Sequence, residues 1–416
     1  MPPEVQEEPE EGAGALPRRD WILLPALGLL TVVAILGFSD LFARTVFAGD
    51  EARLASCLVL NDSTTGVRGV PNCRCMAKSS ESDWVEYKFN RCGHRDNKDC
   101  ATKPPGIYRI VMAGSSIAMG LLVPADRSIA GLLPREISRA TGRDVELYNT
   151  SIGAAFGGTP RNVLLRFNEI QAAKPDLILW LLTPWDIEHA GVLRPPEDFV
   201  NARNGMEAQS VPLNGRVAAV IRLAGRIGAA PLAAALYRSV GDSRFRFLLT
   251  HYLYESQSLY VGSFLKNQDE NAGFLKSQWT PAWNGIFHEF EGYAAQIVAR
   301  AGQLNVPISV VLVPSRAQAA MVSMGDWPQG YDPYELDKRL KDFFTRQGAV
   351  YLEISPQFRG IPNPEQHYVP LDGHPDAEGH AIIAAMISRE ISREITSGVI
   401  PALRAPASNS AETAAK

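Results

Sequence analysis

The chain has 416 residues, 46% of them hydrophobic, enough to bury one large domain with appendages. Lys and Arg total 41 against 45 Asp and Glu, a net charge of −4, so the basic surplus of a nucleic-acid binder is missing and a nucleic-acid partner is disfavoured.

Residues 1–19 open with "MPPEVQEEPEEG", which is acidic and rich in Pro and Gly. Its few apolar side chains cannot offset the entropy of ordering it, so a disordered tail is expected. The apolar run "WILLPALGLLTVVAILGF", Trp21 to Phe38, is uninterrupted, and its eighteen residues meet the lower limit for crossing a bilayer. It extends through Phe47 if Asp40 and Arg44 sit at the headgroups, which makes residues 20–45 a single transmembrane anchor. A cleaved signal peptide is the competing reading, but its apolar core is normally shorter, and no clean small-x-small site follows. Arg18 and Arg19 precede the span and few positive charges follow it closely. That favours a cytoplasmic N-terminus and an extracytoplasmic remainder.

All five cysteines, Cys57, Cys73, Cys75, Cys92 and Cys100, fall in the segment 46–105. Outside the cytoplasm such a cluster reads as a disulfide-stapled segment with one thiol left over, its connectivity open. A zinc site from Cys73, Cys75, Cys92 and His94 is the alternative, with C-x-C and C-x-H spacings that zinc sites rarely use. The formal glycosylation matches at Asn61 and Asn149 carry little weight, since so short a pattern recurs by chance.

From residue 106 to 395 the pattern becomes regular. Five apolar runs, "IYRIVMAG", "DVELYNTSI", "PDLILWLLTP", "PISVVLVPS" and "AVYLEISP", alternate with amphipathic stretches near 127–141, 160–173, 283–303, 333–347 and 376–395. Buried continuous strands alternating with helices indicate an α/β domain whose parallel sheet is covered on both faces. Reactive groups then belong at the carboxyl ends of the strands, where "GSSIAMG", "TSIG", "TPWD" and "VPSR" lie.

The pattern is interrupted by an insertion over about 187–281. Its stretch "RVAAVIRLAGRIGAAPLAAALYRSVGDSRFRFLL" sets six arginines against one acidic residue among apolar positions. Three readings stand: a helix lying on an anionic membrane surface, a lid over the site, or packing helices with snorkelling arginines. Residues 396–416 read as a flexible tail.

"GSSIAMG", Gly114 to Gly120, resembles the first block of the SGNH, or GDSL-like, hydrolases, G-D-S-x-x-x-G, with Ser116 at the nucleophile position and Ser115 in place of the usual aspartate. "FNRCGHR", Phe89 to Arg95, resembles the N-x-x-G-x-R stretch found upstream in many membrane-anchored members. "YNTSIG" resembles the second block, a source of a backbone oxyanion donor, with Ser151 where glycine is commonest and Gly153 nearby. The third block, G-x-N-D, is poorly matched by "TPWD": Thr183 replaces glycine, Trp185 replaces the oxyanion asparagine, and Asp186 is kept. "LDGHPDAEGHAIIA" resembles the last block, which assigns Asp372 and His374. The resemblance covers roughly residues 89–395. It implies a flavodoxin-like three-layer sandwich with a five-stranded parallel sheet, the SGNH hydrolase fold, and a Ser-His-Asp triad.

The chemistry of the residues points the same way. A serine hydroxyl needs a base to take its proton, and histidine suits because its pKa lies near working pH. An aspartate two residues earlier orients the ring from the same loop. Backbone N–H groups of Ser116 and of Ser151 or Gly153 would hold the oxyanion, with Trp185 either donating from Nε1 or simply packing in the core. His380 reads as a helix-surface or core histidine, and Asp376, the rival carboxylate, as first-turn helix chemistry.

The expected function is acyl-ester hydrolysis or transfer on a carbohydrate or cell-envelope glycan, with no cofactor and no metal. Besides the glycan or another acylated small molecule, the expected partners are the membrane, through the N-terminal helix, and a membrane-bound acyl donor protein. The departures at Ser115, Thr183 and Trp185 keep open a catalytically silent protein of the same fold that binds glycan or serves envelope assembly.

Overall fold

The structure is a computed structural model that describes residues 19–46, 51–52, 54–59, 66–96, 98–153, 159–193, 243–267 and 272–400. The expected tails over 1–18 and 401–416, Asn61, and the arginine-rich stretch up to residue 242 lie outside the described residues. Two units are distinguished: Met1–Ala48 with Arg216–Leu249, and Gly49–Gly215 with Thr250–Lys416.

In the first unit, helix α1 spans Asp20–Val46 and is long and apolar enough to cross a membrane, with a mean hydropathy of 2.4. Asp40, near its polar end, accepts from Arg44 Nε at 2.8 Å, from Ser243 Oγ at 3.0 Å and from Phe245 N at 3.2 Å. The last of these is a backbone N–H at the start of a later helix, Arg244–Leu253, where the first turn has no intrahelical acceptor.

In the second unit, the cysteine-rich segment forms two small antiparallel sheets. One joins β1 (Glu51–Ala52), β4 (Arg74–Lys78) and β5 (Val85–Lys88); the other pairs β2 (Leu58–Val59) with β3 (Arg68–Gly69). Disulfides join Cys57 to Cys73 and Cys92 to Cys100, leaving Cys75 free and buried. With Cys73 and Cys92 so engaged, the zinc alternative loses two of its four ligands. The segment is no separate bead: Leu54, Cys57, Val67, Tyr87 and Phe89 share an apolar core with Met119 and Ile152 of the following domain.

Five strands follow: β6 (Tyr108–Ala113), β7 (Val145–Asn149), β8 (Leu177–Leu182), β9 (Ile308–Leu312) and β10 (Val350–Leu352). They pair in parallel in the order β10-β9-β8-β6-β7. The continuous apolar runs arise because both faces are buried, and parity divides their side chains. Val111, Ala113, Ile178, Trp180, Leu182, Val310 and Leu312 enter one core, whereas Ile110, Met112, Leu177, Leu179, Leu181 and Val311 enter the other.

Helices complete the outer layers. On the second face lie Ile129, Leu133 and Ile137, at helical spacing on Ile129–Thr141, and Ile383, Ile387 and Ile391 on Ala377–Ser397. On the first lie Phe287, Phe290, Ala294 and Ile297 of Pro281–Gln303 and Leu336, Leu340, Phe343 and Phe344 of Glu335–Arg346. The stretch 160–173 divides into Pro160–Leu165 and Phe167–Ala172 around Arg166, which donates to Thr150 O at 2.6 Å and to Glu169. The last helix continues to Ser397 and Ile400 is fully buried, so the flexible tail does not begin at 396. This is a three-layer α/β sandwich with its strands in flavodoxin-like order.

Candidate active site

Strand β6 delivers its chain end against β8. Gly114 has φ +153°, and a Cβ there would lie 2.6 Å from Leu181 O and 2.7 Å from Ala118 Cβ, so only glycine passes. Ser116 then opens the short helix Ser116–Met119, half-buried, with its amide in the first turn, where N–H groups lack intrahelical acceptors. The far end of that helix is held by Arg95, which donates to the carbonyls of Met119, Gly120 and Val123 and stacks over Tyr87 at 4.1 Å. Asn90 Oδ1 accepts the amides of Cys92 at 2.9 Å and His94 at 3.0 Å. The upstream N-x-x-G-x-R stretch is thus a side-chain-nucleated turn that aims Arg95 at the helix Ser116–Met119.

From the other end of the domain comes the loop Val369–His374, closed at its base by Val369 N to His374 O and Gly373 N to Val369 O, both 2.8 Å. Gly373, at φ +83°, permits the reversal. His374 Nε2 lies 2.7 Å from Ser116 Oγ, and Nδ1 lies 2.5 Å from Asp372 Oδ1. Burial works against the charge of Asp372, but the facing His374, through its charge and its ring and backbone hydrogen bonds, outweighs this and holds the carboxyl below the usual aspartate range. Three residues expected to act together are brought together. Asp376 is not among them. It is the N-cap of the last helix, one residue before its first turn, with Oδ1 accepting Glu378 N at 2.9 Å and Gly379 N at 2.8 Å.

The oxyanion assignments divide. Ser116 N–H remains available at its helix start, and Gly153 N–H forms no hydrogen bond with the described residues. Ser151 requires correction: its N–H donates to Asn149 Oδ1 at 3.1 Å, so it is already engaged within the protein. Asn149 also donates to Ala118 O at 2.9 Å and is buried, which removes it as a glycosylation acceptor. Trp185 neither sits in the core nor makes an Nε1 hydrogen bond to the described residues. It is half-buried and stacks on His189 with centroids 3.8 Å apart.

Two of the departures from the family pattern belong to one arrangement. Asp186 Oδ2 accepts from Thr183 N at 2.8 Å, Thr183 Oγ1 at 2.7 Å and Ser115 Oγ at 3.0 Å. Burial pushes its carboxyl up to about 7 despite these bonds. His380 resolves as core: its Nδ1 accepts Ile129 N at 3.2 Å, and burial, with Arg95 and His374 nearby, brings its pKa down to about 3.

Sequence reasoning missed the supports of the histidine loop. Arg316, first residue of the helix Arg316–Met324, donates to Pro370 O, to Glu365 O at 3.0 Å and to Tyr254 O at 2.6 Å, and its guanidinium lies 3.9 Å from the Tyr260 ring centroid. The only signal was its place just past a strand end, in "VPSR".

No protein-family profile matches the chain, and no curated protein matches it. Among solved structures, the chain is similar to a protein assigned to the lipolytic G-D-S-L family from Desulfitobacterium hafniense DCB-2, at 10% identity and TM-score 0.30 over 68% of this chain and 98% of that one. It is also similar to the lipase/acylhydrolase from Enterococcus faecalis, at 13% and 0.33 over 69% and 96%, and to TesA, at 11% and 0.35 over 70% and 98%. The fold stands on the strand order, and the chemistry on the residues at the carboxyl edge of the sheet.

Proposed function

We propose that the chain is a serine esterase or O-acyltransferase acting on an ester-linked acyl group, such as acetyl, of a carbohydrate or cell-envelope glycan. One observation carries the catalytic part: Ser116 Oγ, the His374 ring and the Asp372 carboxylate lie in series at 2.7 and 2.5 Å. With Nδ1–H donating to Asp372, Nε2 is free to accept the Ser116 proton as Oγ bonds to the acyl carbon. The negative charge that forms on the carbonyl oxygen falls to Ser116 N–H and Gly153 N–H, fixed dipoles that need no reorganisation. The tetrahedral intermediate breaks its bond to the ester oxygen, which takes the proton from Nε2–H. Water or a sugar hydroxyl then resolves the acyl-enzyme by the same steps reversed. In transfer, the acyl group would come from a membrane-bound donor.

The apolar helix Asp20–Val46 and the two disulfides support a single-pass protein with its catalytic domain in an oxidising compartment outside the cytoplasm. The test uses the full chain in detergent with a fluorophosphonate probe and p-nitrophenyl acetate. Wild type should label and turn over, and Ser116→Ala should do neither. Absence of labelling in wild type with retained glycan binding would replace the enzyme by a binding protein.

A further inference from the structure

The structure assigns a positioning role in catalysis to Glu81, a residue of the disulfide-stapled segment far upstream of the triad. The turn after β4 carries it. Ser79 N donates to Ser82 Oγ at 2.8 Å, Ser79 Oγ bonds the same hydroxyl at 3.2 Å, and Glu81 N donates to Ser79 Oγ at 3.2 Å. This serine-locked turn projects the Glu81 side chain inward, only 2% exposed, to the outer side of the histidine loop. There Oε2 accepts Leu371 N and Asp372 N, each at 3.0 Å, and Oε1 accepts Leu371 N at 3.2 Å and lies 2.7 Å from His251 Nδ1.

The N–H groups of the loop are thereby accounted for, that of His374 by Asp372 Oδ1. The loop's base closes on itself, Pro370 O is held by Arg316, and the amides of Leu371 and Asp372 are held by Glu81. Asp372 thus carries on its own backbone the bond that fixes where its carboxylate meets His374. Hydrogen bonds to a carboxylate are among the stronger ones, and misplacement of a catalytic group by about 1 Å can cost about a hundredfold in rate. The hydrogen-bond partners of Glu81 are Leu371 N, Asp372 N and His251, not the Ser116 hydroxyl or the His374 ring, so it acts through the loop. The stapled segment is therefore part of the catalytic apparatus rather than a spacer between membrane and enzyme.

This proposal rests on the triad reading, and its test separates the two. Glu81→Gln keeps the shape but has one acceptor oxygen and turns an NH2 toward donors; Glu81→Ala removes the group. Both are made in the full chain in detergent. The readouts are kcat and KM for p-nitrophenyl acetate per fluorophosphonate-titrated site, and the far-downfield proton resonance of His374 Nδ1–H in 15N-histidine-labelled protein. The expected result for Glu81→Gln, with circular dichroism unchanged, is kcat per site lowered about tenfold or more, KM within about twofold, and the downfield resonance shifted or broadened. Wild-type kcat per site and an unmoved resonance in Glu81→Gln would overturn the proposal, even if Glu81→Ala fails to fold. Should wild type neither label nor turn over, the enzyme reading fails, and the resonance alone decides whether Glu81 positions the loop.

Discussion

Ser115 Oγ donates to Asp186 Oδ2 across 3.0 Å of buried space, joining the carboxyl ends of two neighbouring strands, β6 and β8. Oδ1 of the same carboxyl has no partner among the described residues, so a lone buried acid bears the cost of its own charge. Serine at 115 supplies a donor where an aspartate would set a second carboxylate against the first.

Burial of that carboxyl makes stability depend on pH. Asp186 has its carboxyl raised from 3.8 to about 7 in the fold, so between these values the native state holds a proton that the unfolded chain has released. The sign is that this residue's contribution falls as pH rises from about 4 to about 7, and stays low above. Asp186→Asn, neutral throughout, should melt close to wild type near pH 4 and above it at pH 8. An advantage independent of pH in thermal melts would contradict the raised carboxyl.

The two carboxylates flanking His374 should separate cleanly. Asp372→Asn is expected to keep the fold and lower acyl turnover by about three to four orders of magnitude, because the amide favours the wrong imidazole tautomer. Asp376→Asn keeps an N-cap acceptor and should leave both rate and stability near wild type, while Asp376→Ala should cost about 1 kcal/mol of stability. Crippled turnover in Asp376→Asn beside a normal Asp372→Asn would exchange the assignment.

Gly114→Ala meets two collisions and a backbone angle that L residues rarely adopt. A loss of about 1–3 kcal/mol in urea unfolding is expected, with fluorophosphonate labelling impaired, since the displaced chain is the one that carries Ser116. Native stability and labelling would mean that a side chain fits between Leu181 O and Ala118 Cβ, against the glycine requirement at 114.

Thiol counting tests the stapled segment. The native protein should react with no thiol reagent, because burial pushes Cys75 up to about 11 and keeps it inaccessible. Denaturation without reductant should expose one thiol and reduction five, with a mass difference of about four hydrogens for two bridges. Reduction of the native protein should also lower turnover through Glu81, since the Cys57–Cys73 bridge ends where β4 begins. Three or five thiols in the unreduced denatured chain would exclude that pairing.

What the sequence by itself determined is local. A six-residue run such as "LILWLL" must be buried on both faces, so the strands, their alternation with helices and the parallel sheet followed from patterning. Ser116 could be named because Gly-Ser-Ser follows a strand directly, and Asp372 and His374 because they share one loop before the last helix. Each depends on neighbours a few residues apart, over which chain geometry is nearly fixed.

The tertiary structure decided what depends on distant segments meeting. Glu81 reaches the Asp372 amide across 291 residues, and Ser115 reaches Asp186 across 71. Nothing in "SSESDW" or "TPWD" encodes those meetings, because a buried acid and a surface acid are the same letter until the fold desolvates one of them. The same reason separated Cys75 from its four neighbours. Burial and partner, not residue type, set the chemistry of a polar group, and both exist only once the sheet, the stapled segment and the histidine loop have closed on one another.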